Sequence, residues 1–185
     1  MQTFVPYADL RASSQVLDSP RLGKQRVETF QILRALTWPS YAWKNHPAVR
    51  MWRGFVPALV LYGVENCREW TRRGNADTVL PQLLEWTGGQ PDDPPLPPWW
   101  GLEALHLSHR ARLVQKDPDF YRPLFGDLPD LPYLWPPDVF PRWPVRRGER
   151  DLDVDEALTV LGHDGPRPGQ AEAADAVRDG RDCLL

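Results

Sequence analysis

Apolar residues recur at helical spacing in three long stretches of the chain. In RLGKQRVETFQILRAL, residues 21–36, Val27, Phe30, Leu33 and Leu36 stand three apart and form a stripe suited to a core. A second stripe of the same helix carries Arg21, Lys24, Gln25 and Glu28 at i, i+3, i+4 and i+7, with Arg26 on the border between the two faces. The helix is predicted over 20–36, capped by Ser19, opened by Pro20 and stopped by Trp38-Pro39-Ser40. A second run over 47–73 repeats Val49, Trp52, Phe55 or Val56, Leu59, Gly63, Cys67 and Trp70. Pro57 is expected to kink or split that run, and Arg72-Arg73-Gly74 to end it. The third helix fits 101–116 and ends at Asp117-Pro118.

Between and beyond these runs the pattern changes. Residues 1–12 read as a short extended or helical lead-in, and 75–101 as a short helical piece passing into a proline-rich acidic connector. The stretch 128–144, LPDLPYLWPPDVFPRWP, is too apolar for a free linker and is expected to lie extended over the helices as a cover. From about Arg146 the chain turns charged and glycine-rich. A short helix is expected at 153–161, and 163–185 reads as mostly disordered. The predicted class is therefore all-α: one helical domain over 1–145, with a Pro/Trp-rich extended wrap, and an acidic, largely flexible tail over 146–185.

Charge sharpens this division. Residues 1–73 carry 11 Lys and Arg against 5 Asp and Glu, a net +6, whereas 151–185 carry 3 against 9, a net −6. The overall −3 thus hides a basic first half, the part suited to phosphate contacts and salt-dependent nucleic-acid binding. Arginine outnumbers lysine 19 to 3, which fits phosphate forks and equally fits a GC-rich coding bias. No apolar run reaches the ~18 residues of a membrane span and the N-terminus lacks a signal-peptide pattern, so a cytoplasmic protein is expected. Cys67 and Cys183 lack zinc spacing and read as free thiols.

Three clusters can carry chemistry. In RLGKQRVE, cations at Arg21, Lys24 and Arg26 can hold phosphates while Glu28 stabilises a cationic sugar or moves a proton; the alternative is a solvated face laced by i,i+4 pairs. In WKNHPAVRMWRG, His46 precedes a helix and is followed by Arg50 and Arg53, a phosphate-binding arrangement or else a capping histidine. In LHLSHRARL, His106 and His109 stand at i, i+3, with Arg110 and Arg112 following; no third ligand accompanies the histidines, so no metal is expected. Phosphate contact and hydrogen-bonded structure both remain open for them. Most of the nine tryptophans are assigned to core or cover, and no nucleotide-loop, zinc-protease or esterase motif occurs.

LGKQRVE in the first long helix, NHP ahead of a helix ending WTRRG, and LSHRARLVQKDPDFYRPLF, taken in order, resemble the pyrimidine-dimer DNA glycosylases of the bacteriophage endonuclease V type. The resemblance covers about residues 1–125 and is closer still to bacterial chains that extend this pattern. It implies a three-helix domain that extrudes a nucleotide from double-stranded DNA at a damaged base or abasic site. The chain's own α-amine then attacks the sugar C1′ and passes through a Schiff base that permits abasic-site lyase cleavage. An α-amine suits that role because its reference pKa, ~7.7, lies well below the ~10.4 of lysine.

Carried across residue by residue, the family's glutamate falls on Glu28, its pocket arginine on Arg26 and its amine on Met1, since Gln2 follows. In the family the arginine and glutamate are adjacent; here Val27 separates them. Arg21, Lys24, His46, Arg50, Arg53, His109, Arg110 and Arg112 become the DNA-binding set, with no cofactor and a monomer as the expected state. Two other readings compete. One is a non-catalytic DNA-binding or damage-sensing protein of the same fold, and the other a protein-interaction module docking through 128–144.

Overall fold

The computed structural model describes residues 1–137, Leu158 and 164–179. It separates into two units, Met1–Phe140 and Pro141–Leu185. Among the described residues there are eight helices and no strand: α1 Leu10–Gln15, α2 Ser19–Thr37, α3 Pro47–Arg50, α4 Val56–Arg72, α5 Leu80–Leu84, α6 Glu103–Lys116, α7 Pro118–Phe125 and α8 Gln170–Arg178. The three predicted long helices correspond to α2, α3 with α4, and α6.

Local chemistry explains the boundaries. Asp18, not Ser19, caps α2, its carboxylate accepting the Arg21 N–H at 3.0 Å. The second run is split as expected: α3 ends at Arg50, Gly54 turns the chain with φ 85°, and Pro57 stands in the first turn of α4. Asp117 ends α6 and caps α7 by accepting the Phe120 N–H at 3.2 Å, so the aspartate-proline pair restarts a helix where the sequence suggested only a stop. In the second unit α8 occupies part of the stretch read as disordered. Its alanines at 171, 173, 174 and 176 give it helix propensity despite the charge and glycine around it. The helix expected at 153–161 lies outside the described residues except for Leu158, which is helical.

Within the first unit, α2 packs most extensively on α4, with α1 and α5 also against α4 and α7 against α6. One core gathers Ile32 and Leu33 of α2, Val49 and Trp52 around α3, Leu59, Tyr62 and Cys67 of α4, and Leu83 of α5. A second joins Phe4, Leu17, Leu22, Leu113, Val114 and Tyr121. The buried face of α2 is Leu22, Gln25, Arg26, Thr29, Ile32 and Leu33, whereas Val27 is 47% exposed. The expected apolar stripe is thus rotated, because two polar side chains, Gln25 and Arg26, take inward positions and find partners there.

The proline-rich segment behaves as a cover as far as 137. Tyr133 and Leu128 pack on the second core, Trp135 on the first, and the Leu134 N–H donates to Ser108 Oγ at 3.2 Å. The remainder of 128–144 lies outside the described residues, as does Cys183; Cys67 is a buried free thiol.

Gly63 sets the closeness of the α2–α4–α5 junction. A Cβ there would lie 2.6 Å from Leu83 Cδ1 and 2.7 Å from Thr29 Cγ2. Leu83 is fully buried and Thr29 is β-branched within a helix, so neither yields without moving a helix. Gly63→Ala is therefore expected to destabilise the protein by about 1–3 kcal/mol despite alanine's better helix propensity, measured by urea unfolding.

Candidate active site

The first residues of the chain run as a buried extended segment, and every polar backbone group of Phe4 and Val5 has a partner. The Phe4 N–H donates to Gln25 Oε1 at 2.9 Å, and the Tyr62 hydroxyl lies 3.0 Å from Phe4 O and 2.6 Å from the same Gln25 oxygen. Val5 is held by both histidines of α6: its N–H donates to His109 Nδ1 at 3.0 Å, and His106 Nδ1 lies 2.7 Å from its carbonyl. His106 Nε2 accepts the Gly101 N–H at 3.2 Å, which leaves Nδ1 as the donor. Trp52 Nε1 donates to Thr3 Oγ1 at 2.9 Å, and Arg110 donates to Pro6 O at 2.7 Å.

This anchoring delivers the Met1 amine to Glu28. The amine nitrogen lies 3.8 Å from Glu28 Oε1, and the Met1 side chain is 6% exposed, packed against the core. Glu28 Oε2 accepts the Gln2 N–H at 3.1 Å and Gln25 Nε2 at 3.2 Å, so one carboxylate is oriented from two sides. Gln25 consequently joins the buried segment to the glutamate through the two ends of a single amide.

Met1, Gln2 and Glu28 line a cleft of about 800 Å³. Arg21, Lys24 and Gln25 share it, so the whole polar stripe of α2 faces the cleft. Lys116 and Asp117 complete it from the α6–α7 junction, and Tyr133 and Trp135 from the covering segment. Arg21 is neutralised by Asp18 and lies 3.5 Å from Asp117, whereas Lys24 and Lys116 have no carboxylate partner among the described residues. The two lysines therefore supply the uncompensated positive charge at the rim.

His46 also lines the cleft. Its Nδ1 accepts the Ala48 N–H at 3.1 Å and caps α3, so the neutral ring carries its hydrogen on Nε2. Burial, and then the positive charge of the N-terminus, hold its pKa below the ordinary histidine value. A neutral His46 presents a hydrogen-bond donor to a ligand and does not add a second positive charge beside the amine.

Several sequence-predicted residues lie elsewhere. Arg26 is buried, ion-paired with Asp77, and stacked at 4.6 Å over the Trp70 ring. It does not line the cleft, because a spacing of two residues turns it well away from Glu28 around the helix. His109 is fully buried in the Val5 anchor and cannot reach a phosphate. Arg110 pairs with Glu103, and Arg112 lies over the Tyr133 ring at 5.1 Å; both serve packing outside the cleft lining. Arg50 and Arg53 belong to α3 and its exit, also outside that lining, with Arg53 donating to Lys44 O at 3.1 Å. Gln25, Lys116, Tyr133 and Trp135 are among the cleft residues left out of the predicted set. No group of three or more metal-ligating side chains occurs among the described residues, and no helix among them is long and apolar enough to cross a membrane.

Residues 1–80 match the family model described as pyrimidine dimer DNA glycosylase. The match spans less than half of the chain and takes in Met1, Arg21, Lys24, Glu28 and His46. Lys116, Asp117, Tyr133 and Trp135 stand beyond it. No curated protein and no solved structure matches the chain.

The buried His109 makes the anchor pH-sensitive. Burial first, and the neighbouring His106 second, depress its pKa to about 3, against ~6.5 in an unfolded chain. Between these values the unfolded state binds a proton that the native state refuses, so stability falls as pH drops from 6.5 toward 3. One such proton contributes at most about 1.4 kcal/mol per pH unit. Asparagine can place Oδ1 near the Nδ1 position without titrating. His109→Asn should therefore lower stability at pH 7 but flatten its decline between pH 6.5 and 4.5, measured by denaturant unfolding at several pH values; an unchanged slope would assign the pH dependence to other groups.

Proposed function

We propose that this chain is a DNA-repair glycosylase that uses the Met1 α-amine as its nucleophile on a nucleotide turned out of double-stranded DNA. The observation that carries the reading is the amine 3.8 Å from the Glu28 carboxylate in a cleft large enough for a nucleotide. In this reading the amine lone pair attacks C1′ of the damaged nucleotide or abasic sugar. Where a base is present, the bond to it breaks and the base leaves with the bonding electrons and a proton. Positive charge grows on the sugar, next to Glu28, which stabilises it and then carries protons as the ring opens to an imine. Loss of a C2′ proton expels the 3′ phosphate, and water hydrolyses the imine to free the amine.

The remaining roles follow from position. Lys24 and Lys116 at the rim, with the His46 Nε2–H, serve as phosphate or sugar contacts. Arg50 and Arg53, outside the cleft lining, are assigned to DNA-backbone contacts. The protein acts as a cytoplasmic monomer on DNA carrying a damaged base or abasic site. A second reading, DNA binding without chemistry, draws support from Arg26, which is held by Asp77 and Trp70 instead of reaching the cleft. The interaction-module reading loses support because Tyr133 and Trp135 already pack within the chain.

Borohydride reduction in the presence of abasic-site DNA distinguishes the first two readings. The first expects a covalent adduct mapped to Met1 by mass spectrometry. Glu28→Gln is expected to slow adduct formation by ~10²-fold or more while changing Kd less than about threefold, because its carboxylate acts where charge develops. DNA binding with no adduct on abasic or damaged duplexes would support the non-catalytic reading. An adduct on Lys24 or Lys116 would keep the enzyme and replace its nucleophile.

A further inference from the structure

Trp43 stands next to His46, a residue of the cleft lining, and is 60% exposed, on a turn where its own φ is 71°. Both features are costly for a bulky residue: positive φ crowds its Cβ, and an indole in water forfeits burial. Trp38, also exposed, is accounted for by the Arg34 guanidinium over its ring at 4.6 Å and by Tyr41 at 6.0 Å. Trp43 has a different setting. Its carbonyl accepts the His46 N–H at 2.8 Å, and its ring meets the His46 ring edge-on at 5.7 Å. His46 in turn meets Trp135 at 6.3 Å, so an aromatic row runs from the cleft wall to the surface. Arg53 braces the turn by donating to the carbonyl of Lys44, the basic residue that follows the tryptophan. The hydrogen bond to His46 and the brace from Arg53 fix the turn beside a residue that lines the cleft.

We infer that Trp43 is the wedge that enters the DNA base stack and fills the space vacated by the nucleotide extruded into the cleft. This inference rests on the proposed function, since a wedge has a purpose only where a nucleotide leaves the helix. Extrusion leaves a gap flanked by unstacked bases, and a flat apolar ring is the chemical complement of that gap. Lys44 beside it suits the phosphate of the opened step. A fixed turn leaves most of the residue exposed while one ring edge rests on His46, so the side chain is already presented to solvent before DNA is engaged.

The test uses a duplex containing a tetrahydrofuran abasic analogue, which cannot form an imine, with 2-aminopurine as its stacked neighbour. Saturating protein, established by anisotropy, is expected to change the 2-aminopurine fluorescence at least severalfold. Trp43→Ala should abolish most of this change at saturation, and Trp43→Phe should retain at least half. Trp43→Gly relieves the positive φ and should keep the melting temperature of the unmodified protein, so its loss of signal reads the missing ring and not misfolding. An equal fluorescence change in Trp43→Ala and the unmodified protein would overturn the wedge, as would saturation binding by the unmodified protein with no change, or no binding at all. Borohydride trapping on a true abasic duplex, run in parallel, separates the two ideas. An adduct without a Trp43-dependent signal removes the wedge and keeps the glycosylase. A Trp43-dependent signal without any adduct keeps the wedge and removes the amine chemistry.

Discussion

The arrangement depends on the capture of residues Thr3–Val5 as a buried extended segment. A chain end is ordinarily the least ordered part of a domain, since ordering each residue costs about 1–2 kcal/mol of backbone entropy. Here two features offset that cost. Phe4 and Val5 are buried in separate cores, and their backbone groups meet Gln25, Tyr62, His106 and His109. Each of those partners is itself 2% exposed or less, so loss of the segment would leave several buried polar groups without partners. Segment and partners therefore hold together as one unit, and the position of the Met1 amine follows from it.

Polar residues in the core explain both what the sequence made legible and what it hid. Helix ends were readable because Pro20, Pro57, Gly74 and Pro118 act through local sterics. The polar stripe of α2 was readable as a set because Arg21, Lys24, Gln25 and Glu28 share one side at i, i+3, i+4 and i+7, and all four line the cleft. The inward face of α2 was not readable. Gln25 and Arg26 look like surface residues, and their burial depends on Phe4, Tyr62, Asp77 and Trp70, partners up to 51 residues away. His106 and His109 raised the same difficulty: histidines at i, i+3 suit ligands, phosphate contacts or backbone anchors alike. One signal favoured the anchor, because Leu105 and Leu113, four residues either side of His109, mark that side of α6 as core.

The cleft is built from chain segments of different standing. Its floor, Met1, Gln25 and Glu28, comes from the stretch that matches the glycosylase family model, while Lys116, Tyr133 and Trp135 close it from sequence beyond residue 80. The apparatus proposed for attack at C1′ thus sits in the matched part, and four lining residues, Lys116, Asp117, Tyr133 and Trp135, stand beyond it. Arg26 shows what a spacing of two residues does on a helix. With Val27 between them, Arg26 turns to the buried Asp77 and Glu28 to the cleft. Removing either partner of such a buried pair typically costs about 3–5 kcal/mol, so Arg26 serves the stability of the fold, outside the cleft lining.

The central claim, that the start of the chain is locked in place and carries its amine to Glu28, is tested most directly by amide hydrogen exchange at Phe4 and Val5. Both amides donate to buried side chains, at 2.9 and 3.0 Å, and are expected to exchange only through opening of the α2–α4 core, with protection similar to that of Ile32 and Leu59. Exchange of either amide at the rate of an unstructured peptide, while α2 and α4 remain protected, would contradict the account.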